Sequence, residues 1–389
     1  MNTIYLDNNA TTKIAPEVFN EMTPYLTDLY GNPSSMHTFG GSISNKIEEA
    51  RERVAALIGA EPDEIIFTSC GTESDNTALM SAVESRPQKR HIITTRVEHP
   101  AVFNFAKHLA RKGFRITFLP VDSSGRFDMD AFSKAIDDDL AVVSVMYANN
   151  ESGVIFPVEE IGKSLRERRI IFHTDAVQAI GKLPIDVKKL SVDMLSLSGH
   201  KLHAPKGVGA LYVRRGTRFY PYIIGGHQEN GRRAGTENIA SIIGLGKACE
   251  LAAKNIDKEI IYLNTLRDKL ERSLMELCPD TRVNGDRENR LPNTTNISFE
   301  YVEGEAILLR LNEYGICASS GSACTSGSLE PSRVLRAMGV PFTAIHGSIR
   351  FSLSRYNTED EIDKVIEIMP KIIKELRELS PFGKEKIKK

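Results

Sequence analysis

Two segments far apart in the chain hold polar residues whose types suit chemistry better than packing. They are DAVQ with SLSGHK (Asp175 to Lys201) and SSGSACTSGS (Ser319 to Ser328). In the first, Asp175 ends the apolar run IIFHT, where a buried carboxylate can keep a pyridine nitrogen protonated. Pyridoxal phosphate (PLP) needs that proton to withdraw electrons from the α-carbon of an amino acid. Lys201 supplies an amine to join such a cofactor, and Gln178 a donor for the ring's 3′-oxygen. For the phosphate, SCGTES places Gly71 and Thr72 after a strand and at a helix start, where free N–H groups and the helix dipole favour an anion. Ser198 and His200 offer a hydroxyl and a ring N–H to the same group, and Lys201 follows at a strand end where open α/β sheets bind ligands. His99, in VEHPAV, has the position to stack on a ring or shuttle a proton.

The second segment surrounds Cys324 with Gly321, Ser322, Ala323, Thr325, Ser326 and Gly327. Such neighbours give flexibility and water instead of a packed core, so the thiol should sit near its ordinary pKa of about 8.5. A few per cent of thiolate makes it a good nucleophile. The other cysteines (Cys70, Cys249, Cys278, Cys317) lie in apolar or helical sequence and read as structural. Arg350, inside the apolar pattern SIRFS, requires a carboxylate partner, which an amino-acid substrate would supply. An electron-withdrawing cofactor and a mobile thiol together point to a sulfur-bearing amino acid.

These residues must be carried by a frame. Short β-rich runs at 64–68, 91–95, 115–120, 141–146, 170–174, 194–198 and 209–213 alternate with helical patterns, which predicts an α/β domain on a mostly parallel sheet. The helix beginning TESDN carries a capping-box pattern, Thr72 with Asp75, and another runs from Pro100 to Gly113. From residue 258 a charged helix, the strand patterns NTTNISF and SIRFSLS and a C-terminal amphipathic helix predict a smaller α+β domain. The expected division is 13–257 for the large domain, with 1–12 and 258–389 forming the small one that carries the cysteine segment.

Composition bounds the function. A chain of 389 residues with 41% hydrophobic and 26% charged residues is ordinary globular material, and its net charge of −1 gives no general affinity for nucleic acid or anionic membranes. No apolar run nears the roughly 20 residues that span a bilayer, and MNTIYLDNNATT lacks a secretory pattern. Five scattered cysteines without C-x-x-C suit neither a disulfide framework nor a zinc site. A reducing cytoplasm is the expected location.

The chain resembles the cysteine desulfurases of the NifS/IscS type, within the aspartate-aminotransferase-like PLP enzymes (fold type I). YLDNNATT, GNPSSMH, TSCGTESDN, EHPAV, NNESG, HTDAVQ, SLSGHK, RAGTEN, SSGSACTSGSLEPSRVLRAMG and SIRFSLSRYNTEDEID follow the family's order and spacing over nearly the whole length. The resemblance implies that Lys201 holds PLP covalently and that Asp175 pairs with the pyridine nitrogen. Gln178 and Asn150 would contact the 3′-oxygen, Asn150 also lying near the substrate. Gly71, Thr72, Ser198 and His200 would hold the phosphate, and Thr236 would add a contact from the partner subunit of a homodimer. His99 would stack on the ring and help move protons, Arg350 would clamp the substrate carboxylate, and Cys324 would take the sulfur of L-cysteine as a persulfide, leaving L-alanine. An iron–sulfur scaffold or a tRNA-thiolation relay would receive the sulfur. No metal is expected on the protein alone, Cys324 being the one ligand offered to a transferred iron–sulfur cluster. HAPKG replaces the more usual GPKG, and SGSLEPS after Cys324 is closer to the nitrogen-fixation type. Three alternatives keep part of the pattern: a selenocysteine lyase, an aminotransferase of the same architecture, and a non-enzymatic partner-binding protein on this scaffold.

Overall fold

The computed structural model describes residues 3–320 and 331–380. Its centre is a seven-stranded sheet of β2 (Ile65–Thr68), β3 (His91–Thr95), β4 (Arg115–Leu119), β5 (Leu140–Ser144), β6 (Ile171–Asp175), β7 (Met194–Ser198) and β8 (Gly209–Val213). The order is β2-β8-β7-β6-β5-β3-β4, with β8 antiparallel to both neighbours and the other pairs parallel. Successive side chains alternate between faces, and both faces are covered. Ile65 and Phe67 join the core beneath the helix Thr38–Ile58, while Ile66 joins Ala78, Leu79 and Ala82 of the helix Gly71–Ser85. All seven expected strand runs appear, with boundaries shifted by no more than two residues.

A second core gathers around β10 (Thr294–Phe299) and β13 (Ser348–Ser352), the inner strands of a four-stranded antiparallel sheet completed by β9 (Thr281–Val283) and β12 (Ser319–Ser320). Ile297, Phe299, Ile349 and Phe351 pack there against Leu266, Leu270 and Leu274 and against Ile362, Val365, Met369 and Ile373 of the helix Glu359–Leu379. The chain start belongs to this core: β1 (Ile4–Tyr5) pairs in parallel with β11 (Ile316–Cys317), burying Ile4 and Leu6.

Residue 258 does not begin a helix. It lies inside one of 39 residues, Ile239–Leu277, whose first part (Ile242, Leu245, Cys249) packs on the large core and whose second part packs on the small one. Between the last buried residue of the first part, Ala252, and the first of the second, Leu263, no glycine or proline interrupts the helix. The Thr72–Asp75 capping pair is also replaced. The helix starts at Gly71 behind Cys70, and Glu73 reaches back to accept the Ser69 N–H at 2.8 Å, leaving Asp75 free to face inward. The other expectation holds: Pro100 opens the helix Pro100–Arg111, with His99 as its N-cap and Gly113 beyond its end at φ 88°.

Candidate active site

The carboxyl ends of β6 and β7, the start of the helix Gly71–Ser85 and the segment Asp7–Thr12 converge on a cleft of about 280 Å³. Gly71, Thr72, His99, Asn150, Asp175, Gln178, Ser198, His200, Lys201 and Arg350 all line it. Ten positions chosen from sequence, spread over 280 residues of chain, therefore meet in one place. Thr236 does not line the cleft of its own chain and stands exposed in a loop. Cys324 lies outside the described residues.

At one end of the cleft Gly71 provides the first N–H groups of its helix. A Cβ there would meet Val177 Cγ2 at 2.8 Å and Ser198 Cβ at 3.5 Å, so the helix start packs this closely against the cleft wall only because residue 71 has no side chain. The Ser198 hydroxyl is buried beside it with no hydrogen-bond partner. A hollow at a helix N-terminus, with an unspent hydroxyl on its wall, fits a phosphate. Gly71→Ala should raise the dissociation constant for PLP at least about tenfold, or ~1.4 kcal/mol. Absorbance titration of cofactor-stripped protein checks this, and unchanged affinity would remove the phosphate from this end.

Lys201 follows β7 in a single helical turn, Gly199–Lys201. Its Nζ donates to the carbonyls of Asn9 (2.6 Å) and Ala10 (2.7 Å). His200 turns the other way, its Nδ1 3.2 Å from the Thr11 hydroxyl, and its carbonyl accepts the Thr12 N–H. Burial, helped by the Lys201 charge, pushes the His200 ring down to about 4. His99 is also driven down to about 4, by burial first and then by Lys201 and Arg333. Its Nδ1 accepts the Ala101 N–H at 3.2 Å, so the neutral ring carries its proton on Nε2.

Asp175 accepts the Val177 N–H at 2.9 Å, and burial raises its carboxyl to about 6. A cationic ring nitrogen against it would oppose that rise. The Gln178 amide donates to the Asn9 carbonyl at 3.0 Å, and its oxygen accepts from Lys182 Nζ at 2.9 Å. This second, half-buried lysine is held down to about 7 by desolvation, with Lys201 and Arg350 adding to the effect. The Asn150 carbonyl accepts from Arg350 Nη1 at 3.1 Å and from Asn9 at 3.1 Å.

Arg350 sits on β13 at 4% exposure. Its expected carboxylate partner is supplied within the chain: Nη2 meets Asp7 Oδ1 at 2.6 Å, while the buried Nε has no partner among the described residues. A pair separated by 343 positions carries no sequence signal. An incoming carboxylate would therefore join or displace Asp7 at this guanidinium.

Asp75 was not foreseen as a site residue. It is 1% exposed, lines the cleft, and approaches both Asp175 and His99 to within 4.8 Å. Burial first, and then the Asp175 charge, push its carboxyl well above the ordinary range, which favours the neutral acid. The sequence signal was available: Asp75 lies four residues after Gly71 on the same helix face as the apolar Ala78, Leu79 and Ala82. Because a neutral carboxyl resembles an amide, Asp75→Asn should leave PLP affinity within about threefold of wild type. The same absorbance titration measures it, and a tenfold loss would show that Asp75 acts as an anion.

The cysteine segment is anchored at the cleft from both sides. On the near side, Ser319 pairs with Arg350 and Ser320 with Ile349 across β12 and β13. On the far side, Ser332 Oγ donates to Glu151 at 2.5 Å, and the Arg333 guanidinium donates to the carbonyls of Arg96 and Glu98. Glu98 and Glu151 are the neighbours of His99 and Asn150. Among the remaining cysteines, Cys249 and Cys278 are buried as expected. Cys70 corrects the expectation: it is half-buried and lines the cleft.

A lysine at a strand end, a carboxylate for a ring nitrogen and a phosphate hollow define a PLP-type site on an α/β sheet. The family model described as aminotransferase class-V matches residues 4–365, and the chain belongs to that family. It is similar to a cysteine desulfurase of Nostoc sp., at 62% identity over 98% of this chain and 96% of the relative. It is also similar to cysteine desulfurase NifS of Azotobacter vinelandii, at 58% identity over 97% and 94%. Among solved structures, a NifS-like protein superposes with a TM-score of 0.91 at 40% identity, over 96% of this chain and all of that one. A protein solved as SspA in complex with cysteine gives 0.81 at 36% identity, over 92% of this chain.

Proposed function

We propose that the cleft carries out PLP-dependent desulfuration of L-cysteine, giving L-alanine and a persulfide on Cys324. The observation that carries this is the placement of the described residues on either side of 321–330: Ser319 pairs with the cleft residue Arg350, and Ser332 bonds Glu151, the neighbour of the cleft residue Asn150. Cys324 is four residues past Ser320, a span of at most about 14 Å of extended chain, so its thiol is within reach of a substrate at Arg350.

When bound, PLP supplies the sink for electrons from the substrate α-carbon. The chain's residues do the rest. Gly71, Thr72, Ser198 and His200 hold the phosphate, Asp175 keeps the ring nitrogen protonated, and Gln178 with Asn150 fixes the 3′-oxygen. Arg350 orients the substrate carboxylate, displacing part of the Asp7 contact. Lys201 Nζ would take the α-proton and later return one to the same carbon, and the neutral His99 ring lines the same cleft with a proton on Nε2. The Cys324 thiolate attacks the substrate sulfur. A sulfur–sulfur bond forms, the carbon–sulfur bond breaks, and its electron pair goes to carbon, where a proton completes the methyl group of alanine.

The working unit we infer is a homodimer. Thr236 is exposed and absent from its own cleft, which suits a role in the partner's, and Leu26, Tyr30, Met36 and Phe39 form an exposed apolar run that a second copy would cover. The persulfide would pass to an iron–sulfur scaffold or a tRNA-thiolation relay in the cytoplasm. Among the described residues no helix is long and apolar enough to cross a membrane. Anaerobic incubation with L-cysteine and a reductant tests the reaction: alanine and sulfide should appear in equal amounts. A keto acid without alanine would indicate transamination instead.

A further inference from the structure

On the opposite edge of the large sheet from the cleft is a second pocket, of about 450 Å³. It lies where β6 and β7 begin and where the antiparallel β8 ends, one strand length (roughly 16 Å) from Asp175. Five arginines line it: Arg86, Arg166, Arg169, Arg214 and Arg218. Among the described residues the only acid lining it is Asp193, and it is fully engaged, with Oδ1 on Arg214 and Oδ2 accepting the Phe172 N–H at 2.8 Å. Among the described residues the other four arginines have no carboxylate within 4.0 Å. Arg86 is half-buried and bonds only the carbonyl of Arg169, and Arg218 lies over the ring of Tyr220. Hydroxyls are also present: Ser85 and Ser191 line the wall, and the buried Thr217 Oγ1 has no partner.

Helix termini explain part of this. Arg86 and Arg166 close the helices Gly71–Ser85 and Val158–Glu167, where a cation is favourable. That preference does not account for Arg214 and Arg218, which arrive from a strand end, or for the concave shape. Nor does it account for the all-arginine composition, because lysine serves a helix terminus equally well. Planar, multiply donating guanidinium groups are the residues that grip phosphate oxygens in two-point fashion.

We propose that this pocket binds a small phosphate-bearing anion, of the pyrophosphate or phosphate-ester class, at a site separate from the cofactor. Four unneutralised guanidinium groups match the charge of such a ligand, and the volume admits one or two phosphate groups with a small attached body.

The test is calorimetric titration of the PLP-loaded enzyme with pyrophosphate, the cofactor's own phosphate then filling the catalytic cleft. The comparison is between wild type, the double variant R166Q/R218Q and the control R215Q. Arg166 and Arg218 are exposed and lie a strand length from the cleft, Arg218 touching only the Tyr220 ring, so the double variant should keep its bound cofactor and its rate of alanine formation. Arg215 is exposed next to Arg214 but pairs with Asp63 outside the pocket. The expected result is one pyrophosphate per chain, bound at least about tenfold more weakly by the double variant, unaffected by R215Q, and weakened by salt. No binding, equal binding by the double variant, or equal loss in R215Q would overturn the proposal. So would binding of a short oligonucleotide but not of pyrophosphate, which would make the surface a nucleic-acid contact.

Discussion

Lys201→Ala should lower alanine formation from L-cysteine by about ten-thousandfold, the upper range for loss of a positioned proton-transfer group. The structure gives two reasons. Nζ is fixed by the Asn9 and Ala10 carbonyls at the junction of the large and small cores, and no other lysine lines the cleft. Lys182, half-buried and held down to about 7, could stand in only from outside the cleft lining, and its Nζ donates to the Gln178 oxygen. Arginine should not rescue the variant, because a guanidinium neither gives up its proton at neutral pH nor joins the cofactor. The variant should also lose its yellow colour on dialysis, since no covalent link retains PLP. Loss of activity by less than about tenfold would mean that another base works at the α-carbon.

The second large effect concerns the thiol. Cys324→Ala should abolish persulfide and sulfide production and, with them, alanine, by at least about a thousandfold. Two other cysteines are poor substitutes on physical grounds: burial pushes the Cys278 thiol up to about 11 and the Cys249 thiol higher still. Cys317 is also raised by burial, with the Asp7 charge adding to it. Cys70 is the real competitor, because it lines the cleft beside the phosphate hollow. Its place at a helix N-cap, followed at once by Gly71, leaves it little backbone freedom to carry a sulfur outward. With selenocysteine as substrate the same variant should lose much less, since selenium leaves carbon without a thiolate's help. Equal tolerance with cysteine would favour the selenocysteine-lyase alternative.

Local chemistry made most of the large sheet legible in the sequence. HIITT is short and rich in β-branched residues, and MLSLS is short and alternates apolar with polar positions after Met194, so both match the observed strands residue for residue. The site residues on those strand ends were legible for the same reason. Contacts across hundreds of residues were not. The Asp7–Arg350 pair and the carbonyls that hold Lys201 depend on the chain start folding back against β13, which no local pattern announces. Asp75 was misassigned because Glu73 and Asp75 both stand near the helix start, and only the packing shows which one turns back to cap it. The seam expected at residue 258 failed as an element boundary because the stretch between the buried residues Ala252 and Leu263 holds no glycine or proline, so the helix Ile239–Leu277 continues from one core to the other.

The most direct test of the central claim is to locate the transferred sulfur. The PLP-loaded enzyme is incubated anaerobically with a slight excess of L-cysteine and no reductant, alkylated, digested and mapped by peptide mass. One additional sulfur on Cys324, matched by one alanine released per site, is the predicted result. The additional sulfur on Cys70 or Cys317, or alanine released with every cysteine unmodified, would contradict the account.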